Sequence, residues 1–283
     1  MINENITIVV NTFNSEDKIF NCLDSINSFC KVIIIENSNN KNFKKKIEEK
    51  YPFIDCHLTG ENLGYAKGNN LGLSKVKSKY ALILNPDTTL ESETLNNFLK
   101  TANKVKDFAI IGPAKQDEYK NEDINNEKED VFQVNFIKGF GMFLNLYQFK
   151  NIFFFDSNFF IYLEEIDLCK RLKEKNRKIY LDKKIKINHI GGSSHNESIN
   201  FEMELSRNWH WMWSTFYFNK KHNGYLISLI KVSRKFFSSL TKMIFFLLIM
   251  KKKKSKIYFH RFSGLFNSII GKKSWYRPKI IIN

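Results

Sequence analysis

Carboxylates stand at two places in this chain where chemistry could use them. Asp87 ends the turn Asn85-Pro86-Asp87 after the apolar run Tyr80-Ala81-Leu82-Ile83-Leu84, and Glu164, Glu165 and Asp167 follow an aromatic run over 159–163. A carboxylate at the end of a buried strand suits a hard cation, and such a cation neutralises a diphosphate leaving group. The plainer use of such a residue is to cap the next helix. Adjacent carboxylates near a partly dry site have raised pKa values and act as general bases. They equally fit a helix N-terminus, with Asp167 paired to Arg171 four residues on. His189 and His195 flank the turn Gly191-Gly192-Ser193-Ser194 and are candidates for metal or phosphate, against the ordinary structural use of a histidine.

Two further segments could hold a ligand. Asn62–Gly72 places Gly64, Gly68 and Gly72 in a loop running into a helix, where backbone N–H groups and the helix N-terminus suit a phosphate. It is not a Walker loop, since Lys67 sits elsewhere, and it lacks GxGxxG spacing after the first strand. Glu36-Asn37-Ser38 follows the apolar run Val32–Ile35, and an acid there binds a ribose or base edge or else forms a turn or cap.

The elements that must position these groups alternate. Strands are expected over 6–10, 32–35, 56–58, 80–84 and 109–111, and helices over 15–29, 44–50, 69–76 and 91–105. That order predicts an α/β fold with a mostly parallel sheet covered by helices on both faces. The polar, acid-rich stretch 115–130 reads as a surface loop. Apolar character returns over 136–144, the aromatic run 159–163 reads as a strand leading into a helix, and 178–181 and 185–189 read as short final strands.

The net charge of +16 is not spread evenly. Residues 205–283 hold 17 Lys+Arg and no acid, while residues 1–204 hold 28 Lys+Arg against all 29 acids. The reading is therefore a nearly neutral domain over 1–204 and a basic helical region over 205–283, the asymmetry pointing to an anionic partner. On a helical wheel Leu226, Ile230, Phe237, Leu240, Ile244 and Leu247 share one face, and Lys231, Arg234, Lys235 and Lys242 the other. The unbroken apolar stretch Met243–Met250 is too short, at about 1.5 Å per residue, to cross a core of about 30 Å. A basic amphipathic helix followed by Lys251–Lys254 fits an anionic membrane surface. The alternative is a helix packed on its own domain, and the apolar content argues against nucleic acid. Four scattered cysteines without zinc spacing suggest free thiols in a reducing compartment, and no signal peptide is expected.

Seven segments in order resemble the family 2 glycosyltransferases of the GT-A (Rossmann-like) fold, especially rhamnosyltransferase-like members that build bacterial surface polysaccharides and O-antigens. They are Ile8-Val9-Val10-Asn11-Thr12-Phe13-Asn14, Ile34-Ile35-Glu36-Asn37-Ser38, Asn62–Gly72, Leu84-Asn85-Pro86-Asp87, Gly139-Phe140-Gly141-Met142-Phe143, the stretch from Phe160 to Arg171, and His189-Ile190-Gly191-Gly192-Ser193. The resemblance implies a nucleotide-sugar site. Thr12, Phe13 and Asn14 would lie at the base, Glu36 at the nucleoside, and Asn62, Gly64, Lys67 and Asn69 along the nucleotide and sugar. Asn85, Pro86 and Asp87 would form the DXD-like turn. Asp87 and His189 would take a divalent cation, Mg2+ or Mn2+, and Glu165 would be the catalytic base, with Asp167 or Glu164 as alternatives.

The implied activity is an inverting sugar transfer, of hexosyltransferase type, from a nucleotide-diphosphate donor to a lipid-linked saccharide. Its expected location is cytoplasmic, peripheral on the inner face of the cell membrane. The departures at Glu36, Asn85 and Glu165 motivate a second reading, a non-catalytic membrane-associated binding protein on a decayed transferase fold.

Overall fold

The computed structural model describes residues 3–114, 129–189 and 199–278. The turn Gly191–Ser194 and His195 lie outside them, as does most of the acid-rich loop expected over 115–130. The chain divides into two compact units, Met1–Asp156 with Glu165–Asn196, and Ser157–Glu164 with Glu197–Asn283.

In the first unit, strand and helix alternate as β1 (Asn3–Thr12), α1 (Glu16–Ile26), β2 (Cys30–Glu36), α2 (Lys41–Lys50), β3 (Ile54–Leu58), α3 (Gly64–Ser74) and β4 (Tyr80–Leu84). There follow β5 (Thr88–Leu90), α4 (Thr94–Lys104), β6 (Phe108–Pro113), β7 (Val131–Gln133), β8 (Gly141–Asn145), α5 (Glu164–Glu174), β9 (Lys178–Asp182) and β10 (Ile187–His189). Eight strands form one sheet in the order β3-β2-β1-β4-β8-β6-β9-β7, and β5 pairs with β10 separately. Pairings β1–β2, β1–β4, β2–β3 and β6–β9 are parallel. β8 runs antiparallel between β4 and β6, and β7 runs antiparallel along β9.

The central strands read as unbroken apolar runs because both sheet faces are covered. Ile8, Val10, Val32, Ile34 and Leu82 point to a core shared with Ile19 and Leu23 of α1, Phe43 and Ile47 of α2, and Leu95 and Phe98 of α4. On the opposite face α3 lies so close to β1 that a Cβ at Gly72 would stand 2.3 Å from Val9 Cγ1. The order also reverses at β1: β2 and β3 extend to one side and β4 to the other. That reversal is the switch point where open α/β sheets hold ligands, beyond the strand carboxyl ends.

Two local expectations change. The helix expected over 69–76 begins earlier, at Gly64, whose φ of +76° favours a residue without Cβ. Gly68 and Gly72 are therefore helical, and they serve close helix–sheet packing rather than a loop. The aromatic run 159–163 is not a strand. Tyr162 and Leu163 both have left-handed backbone, with φ of 75° and 68°, which breaks the two-residue period of a strand. Its rings pack instead within the second unit: Phe159 on Tyr217, Phe160 on His210 and Tyr162 on Trp211, while the Ile161 carbonyl accepts from Ser214.

The second unit contains α6 (Asn200–Asn223), α7 (Tyr225–Leu248) and α8 (Lys252–Ile269). Gly264 lets α8 approach α6, since a Cβ there would meet the Trp209 carbonyl oxygen at 2.1 Å. Trp209 and Trp213 are buried, as an aromatic helix packing within its own unit requires, and Trp211 is half-exposed. Among the described residues no helix is long and apolar enough to cross a membrane.

His210 of α6 is fully buried. Its Nε2 donates to the Tyr276 carbonyl at 2.9 Å, and its Nδ1 lies 3.0 Å from the Ser274 hydroxyl, which donates to the ring when it is neutral. Burial pushes its pKa down to about 3, with the Arg277 charge acting the same way. The unfolded chain titrates near 6.5, so between those values only the unfolded state binds the proton, and stability falls as pH falls. Acidification from pH 7 to pH 4 is expected to remove on the order of 3 kcal/mol through this group. His210→Gln should flatten that part of the pH dependence in guanidinium unfolding. An unchanged slope would place the acid sensitivity elsewhere.

Candidate functional site

The carboxyl ends of β1, β2 and β4 bring three of the sequence segments together. Thr12 is registered opposite Glu36, and both are buried. The Thr12 hydroxyl donates to Glu36 Oε2, and Oε1 of the same carboxylate makes no hydrogen bond. Burial raises the Glu36 pKa, against the Thr12 and Ser38 hydroxyls and the Asn14 amide, which favour the charge. A buried acceptor held ready in this way can receive a hydroxyl or an imide N–H of a ligand.

Asn37 ties this end to α3. Its Nδ2 donates to Asn11 Oδ1 and, at 3.0 Å, to the Thr12 carbonyl, while its Oδ1 accepts from the Leu63 amide at 3.1 Å. Asn11 Nδ2 in turn donates to the Gly64 carbonyl at 3.1 Å. Gly68 leaves room for Asn11, since a Cβ there would stand 2.3 Å from Asn11 Oδ1. Asn62 caps the segment by accepting from the Gly64 amide at 3.0 Å. Asn69 is fully buried, with Nδ2 on the Tyr65 carbonyl at 2.9 Å and Oδ1 making no hydrogen bond. Lys67 is exposed and Phe13 and Asn14 are partly exposed, Asn14 with a φ of +50° that asparagine tolerates.

At the end of β4, the Asn85 amide donates to the Phe140 carbonyl at 3.1 Å, and Thr88 folds back to donate to the Asn85 carbonyl at 2.7 Å. Pro86 and Asp87 are buried in this turn. The short strand β5 that follows pairs antiparallel with β10, His189 opposite Thr88. This pairing brings His189 Nε2 to 3.5 Å from Asp87 Oδ1. The His189 ring stacks on Phe140 at 4.7 Å and 10°, which fixes its plane. Asp87 Oδ1 is buried and makes no hydrogen bond. Burial pushes the Cys22 thiol up to about 12, against its hydrogen bond with Thr88 and with the Asp87 charge adding to the rise, so that thiol stays neutral. All four cysteines are free and buried.

Asp87 and His189 fit a divalent cation as a partial donor set. An orphaned carboxylate oxygen and an imidazole nitrogen 3.5 Å apart approach the separation of neighbouring ligands on one ion, about 3 Å for donors each about 2.1 Å away. Among the described residues no third His, Cys, Asp or Glu joins them. A cation held there would take its remaining oxygens from water or phosphate groups, which is how Mg2+ is commonly held.

The three acids of α5 have different surroundings. Asp167 is fully buried and accepts from Arg171 Nε at 2.8 Å. Arg171 also donates to the carbonyls of Phe153 and Phe154, so this pair is part of the core. Glu164 is buried, and Glu165 is partly exposed. The Cys169 sulfur, one turn beyond Glu165, accepts from the Ile137 backbone amide, which sets α5 beside the segment leading to Gly139. The left-handed pair Tyr162–Leu163 immediately precedes these acids, and strained backbone of this kind concentrates at functional sites.

Several contributors carry no signal of their own in the sequence. Asn11 and Asn37 form the bridge between strands and helix, Tyr65 donates to the Gly139 carbonyl, and Phe140 supports His189. β5 was not expected at all. Its signal is only the β-branched pair Thr88-Thr89, too short to stand out beside the proline turn.

The chain is 24% identical over 197 residues to the low-salt glycan biosynthesis hexosyltransferase Agl10 of Haloferax volcanii, covering 61% of this chain and 63% of that protein. It thus spans under two thirds of that relative. It is 25% identical over 201 residues to the rhamnosyltransferase WbbL of Escherichia coli K12, covering 58% of this chain and 75% of that one. Its fold is shared with a mannosyltransferase from Pyrobaculum calidifontis solved in complex with GDP-Man and Mn2+, at 10% identity, a TM-score of 0.61, and coverage of 95% of this chain and 88% of that one. Residues 7–169 match the sequence family described as Glycosyl transferase family 2, and this stretch contains both the Thr12–Glu36 end of the sheet and the Asp87 turn: the chain belongs to glycosyl transferase family 2.

Proposed function

We propose that this protein is an inverting glycosyltransferase that moves a sugar from a nucleotide-diphosphate donor to a lipid-linked saccharide in cell-surface polysaccharide synthesis. The observation that carries the reading is the pairing of buried Asp87 with His189 at the sheet's switch point, beside the Thr12–Glu36 and Asn37 network. Glu36 and Thr12 bind the nucleoside with Phe13 and Asn14 beside the base. Asn62, Gly64, Lys67 and Asn69 line the nucleotide and sugar, and Asn85 and Pro86 shape the turn that presents Asp87. Asp87 and His189 would hold Mg2+ or Mn2+, which when bound offsets the charge of the departing diphosphate. The mannosyltransferase of like fold, solved with GDP-Man and Mn2+, supports both the donor class and the cation.

Glu165 takes the proton of the acceptor hydroxyl. The acceptor oxygen forms a bond to the anomeric carbon as the bond from that carbon to the diphosphate oxygen breaks, and the electron pair leaves with the nucleotide diphosphate. Attack from the face opposite the diphosphate inverts the centre. Glu165 suits this role better than Asp167, whose carboxylate is committed to Arg171. The rhamnosyltransferase relative makes rhamnose a candidate sugar. Residues 1–204 act as the transferase domain and 205–283 as a membrane-associating region that keeps the protein on the inner face of the membrane, near a lipid-borne acceptor.

The test is a melting-temperature screen of the full chain against dTDP-, UDP- and GDP-sugars with Mn2+, Mg2+ or EDTA. One nucleotide class should raise the midpoint by several degrees, since a ligand at about 100 times its Kd stabilises by about 2.7 kcal/mol. EDTA should abolish the shift, and the same donor should be slowly hydrolysed. If no nucleotide sugar shifts the midpoint under any condition, the reading fails. Binding without hydrolysis or transfer would favour a decayed, non-catalytic transferase fold.

A further inference from the structure

α7 has three faces: one packs on its own unit, a basic one reaches α8 through Lys242 over the Tyr258 ring, and the third is uncovered. Ser228, Val232 and Ser239 are buried, and Phe236 and Phe246 pack on Phe262 and Tyr258 of α8. Lys231, Lys235 and Lys242 form a second, basic face. The third carries Leu226, Ile230, Phe237, Ile244 and Leu248 within an arc of about 40°, over a length of about 33 Å. These are not covered: Leu226 is 74% exposed, Ile230 76%, Phe237 63% and Leu248 76%. Apart from Leu240, which is partly buried, the apolar stripe visible in the sequence is therefore not the packing face of the helix. A fold that merely docked α7 on its own unit would have buried it.

The ends of the stripe show what fits it. Leu247, Leu248, Ile249 and Met250 are all exposed at the turn into α8, and Lys251, Lys252, Lys253 and Lys254 follow, all exposed. A contiguous apolar surface of this size marks an interaction site. Residues 205–283 contain no acid, so two copies meeting on this face would bring like charges together. A surface with an apolar interior and anionic headgroups satisfies both the stripe and its flanking cations.

We propose that α7 lies flat in the interface of an anionic lipid bilayer, with the Leu226–Leu248 stripe at the acyl boundary and Lys251–Lys254 among the headgroups. This rests on the membrane partner proposed above and assigns the surface that meets it. The stripe supplies a salt-resistant part of the binding, and the lysines supply a salt-sensitive part worth roughly fivefold in partitioning per cation.

The experiment is flotation of the full chain with phosphatidylcholine vesicles, with and without 30% phosphatidylglycerol, at low and high salt. The wild type should float with the anionic vesicles and keep a measurable fraction at high salt. Ile230→Gln with Phe237→Gln, both at exposed positions, should lower partitioning at least tenfold and abolish the salt-resistant fraction, with an unchanged melting temperature. Changing Lys251, Lys252, Lys253 and Lys254 to Gln should cut low-salt binding to anionic vesicles and spare the salt-resistant fraction. If the wild type floats and the Ile230/Phe237 variant floats equally, the assigned stripe is wrong and the membrane reading stands. If the wild type floats with neither vesicle, the membrane reading itself fails. A wild-type dimer in solution that the double variant converts to monomer would give the stripe to a second copy and overturn the proposal.

Discussion

Asp87→Asn is expected to lower turnover at least about 100-fold, the scale of losing one electrostatic group that stabilises developing charge. The substitution keeps the shape of a buried side chain, so the melting temperature should change little, and any fall in activity reports chemistry rather than unfolding. It replaces the carboxylate oxygen that sits buried, without a hydrogen bond, 3.5 Å from His189 Nε2. Two readouts separate a cation ligand from a helix cap. The Mn2+ concentration needed for half-maximal activity should rise in the variant, and the Mn2+-dependent part of the donor's melting shift should shrink. A helix cap would leave both unchanged and lower stability instead. Indeed the helix after this turn starts at Thr94, beyond β5, so Asp87 caps no helix.

Glu165→Gln should reduce kcat by about 10² to 10⁴, the usual contribution of a positioned general base, with donor KM and melting temperature close to wild type. Asp167→Asn should behave differently although it stands two residues away. Removing one charge from the buried Asp167–Arg171 pair leaves an uncompensated guanidinium and costs about 3–5 kcal/mol of stability. Activity per folded molecule should survive better than in Glu165→Gln. The comparison is made on thermal unfolding and initial rates of the same preparations. Should Glu165→Gln keep full activity while Glu164→Gln loses it, the base is the neighbouring acid. Should Asp167→Asn lose turnover without losing stability, the ion pair is not the reason for that residue.

Much of this architecture was readable from local pattern. The strand 80–84 is observed over that span, and strands β1, β2 and β6 and helices α1, α2 and α4 lie where apolar periodicity put them, their ends shifted by a few residues. Doubly covered strands carry their burial as unbroken apolar runs, so the sequence states it directly. The Asp167–Arg171 pair was likewise legible, because spacing of four along a helix brings side chains together whatever else surrounds them. The aromatic run 159–163 misled for the opposite reason. Its rings are spent on Tyr217, His210 and Trp211, some fifty residues away, and no local period encodes that. The same holds for the glycines: Gly68 and Gly72 suggest a phosphate loop until Asn11 and Val9 are seen against them.

What the sequence determined by itself was the alternation of strand and helix, the order of the motifs, and the separation of a nearly neutral region from a wholly basic one. Periodicity and charge are local properties of a chain, and they survive being read in one dimension. What only the tertiary structure decided was which groups far apart in the chain become neighbours and which apolar face stays uncovered. Asp87 and His189 are a hundred residues apart and become neighbours through a three-residue strand pairing, and α7 packs through a face other than its most apolar stripe. Both outcomes depend on contacts between distant segments, whose register is set by the packing of the whole unit.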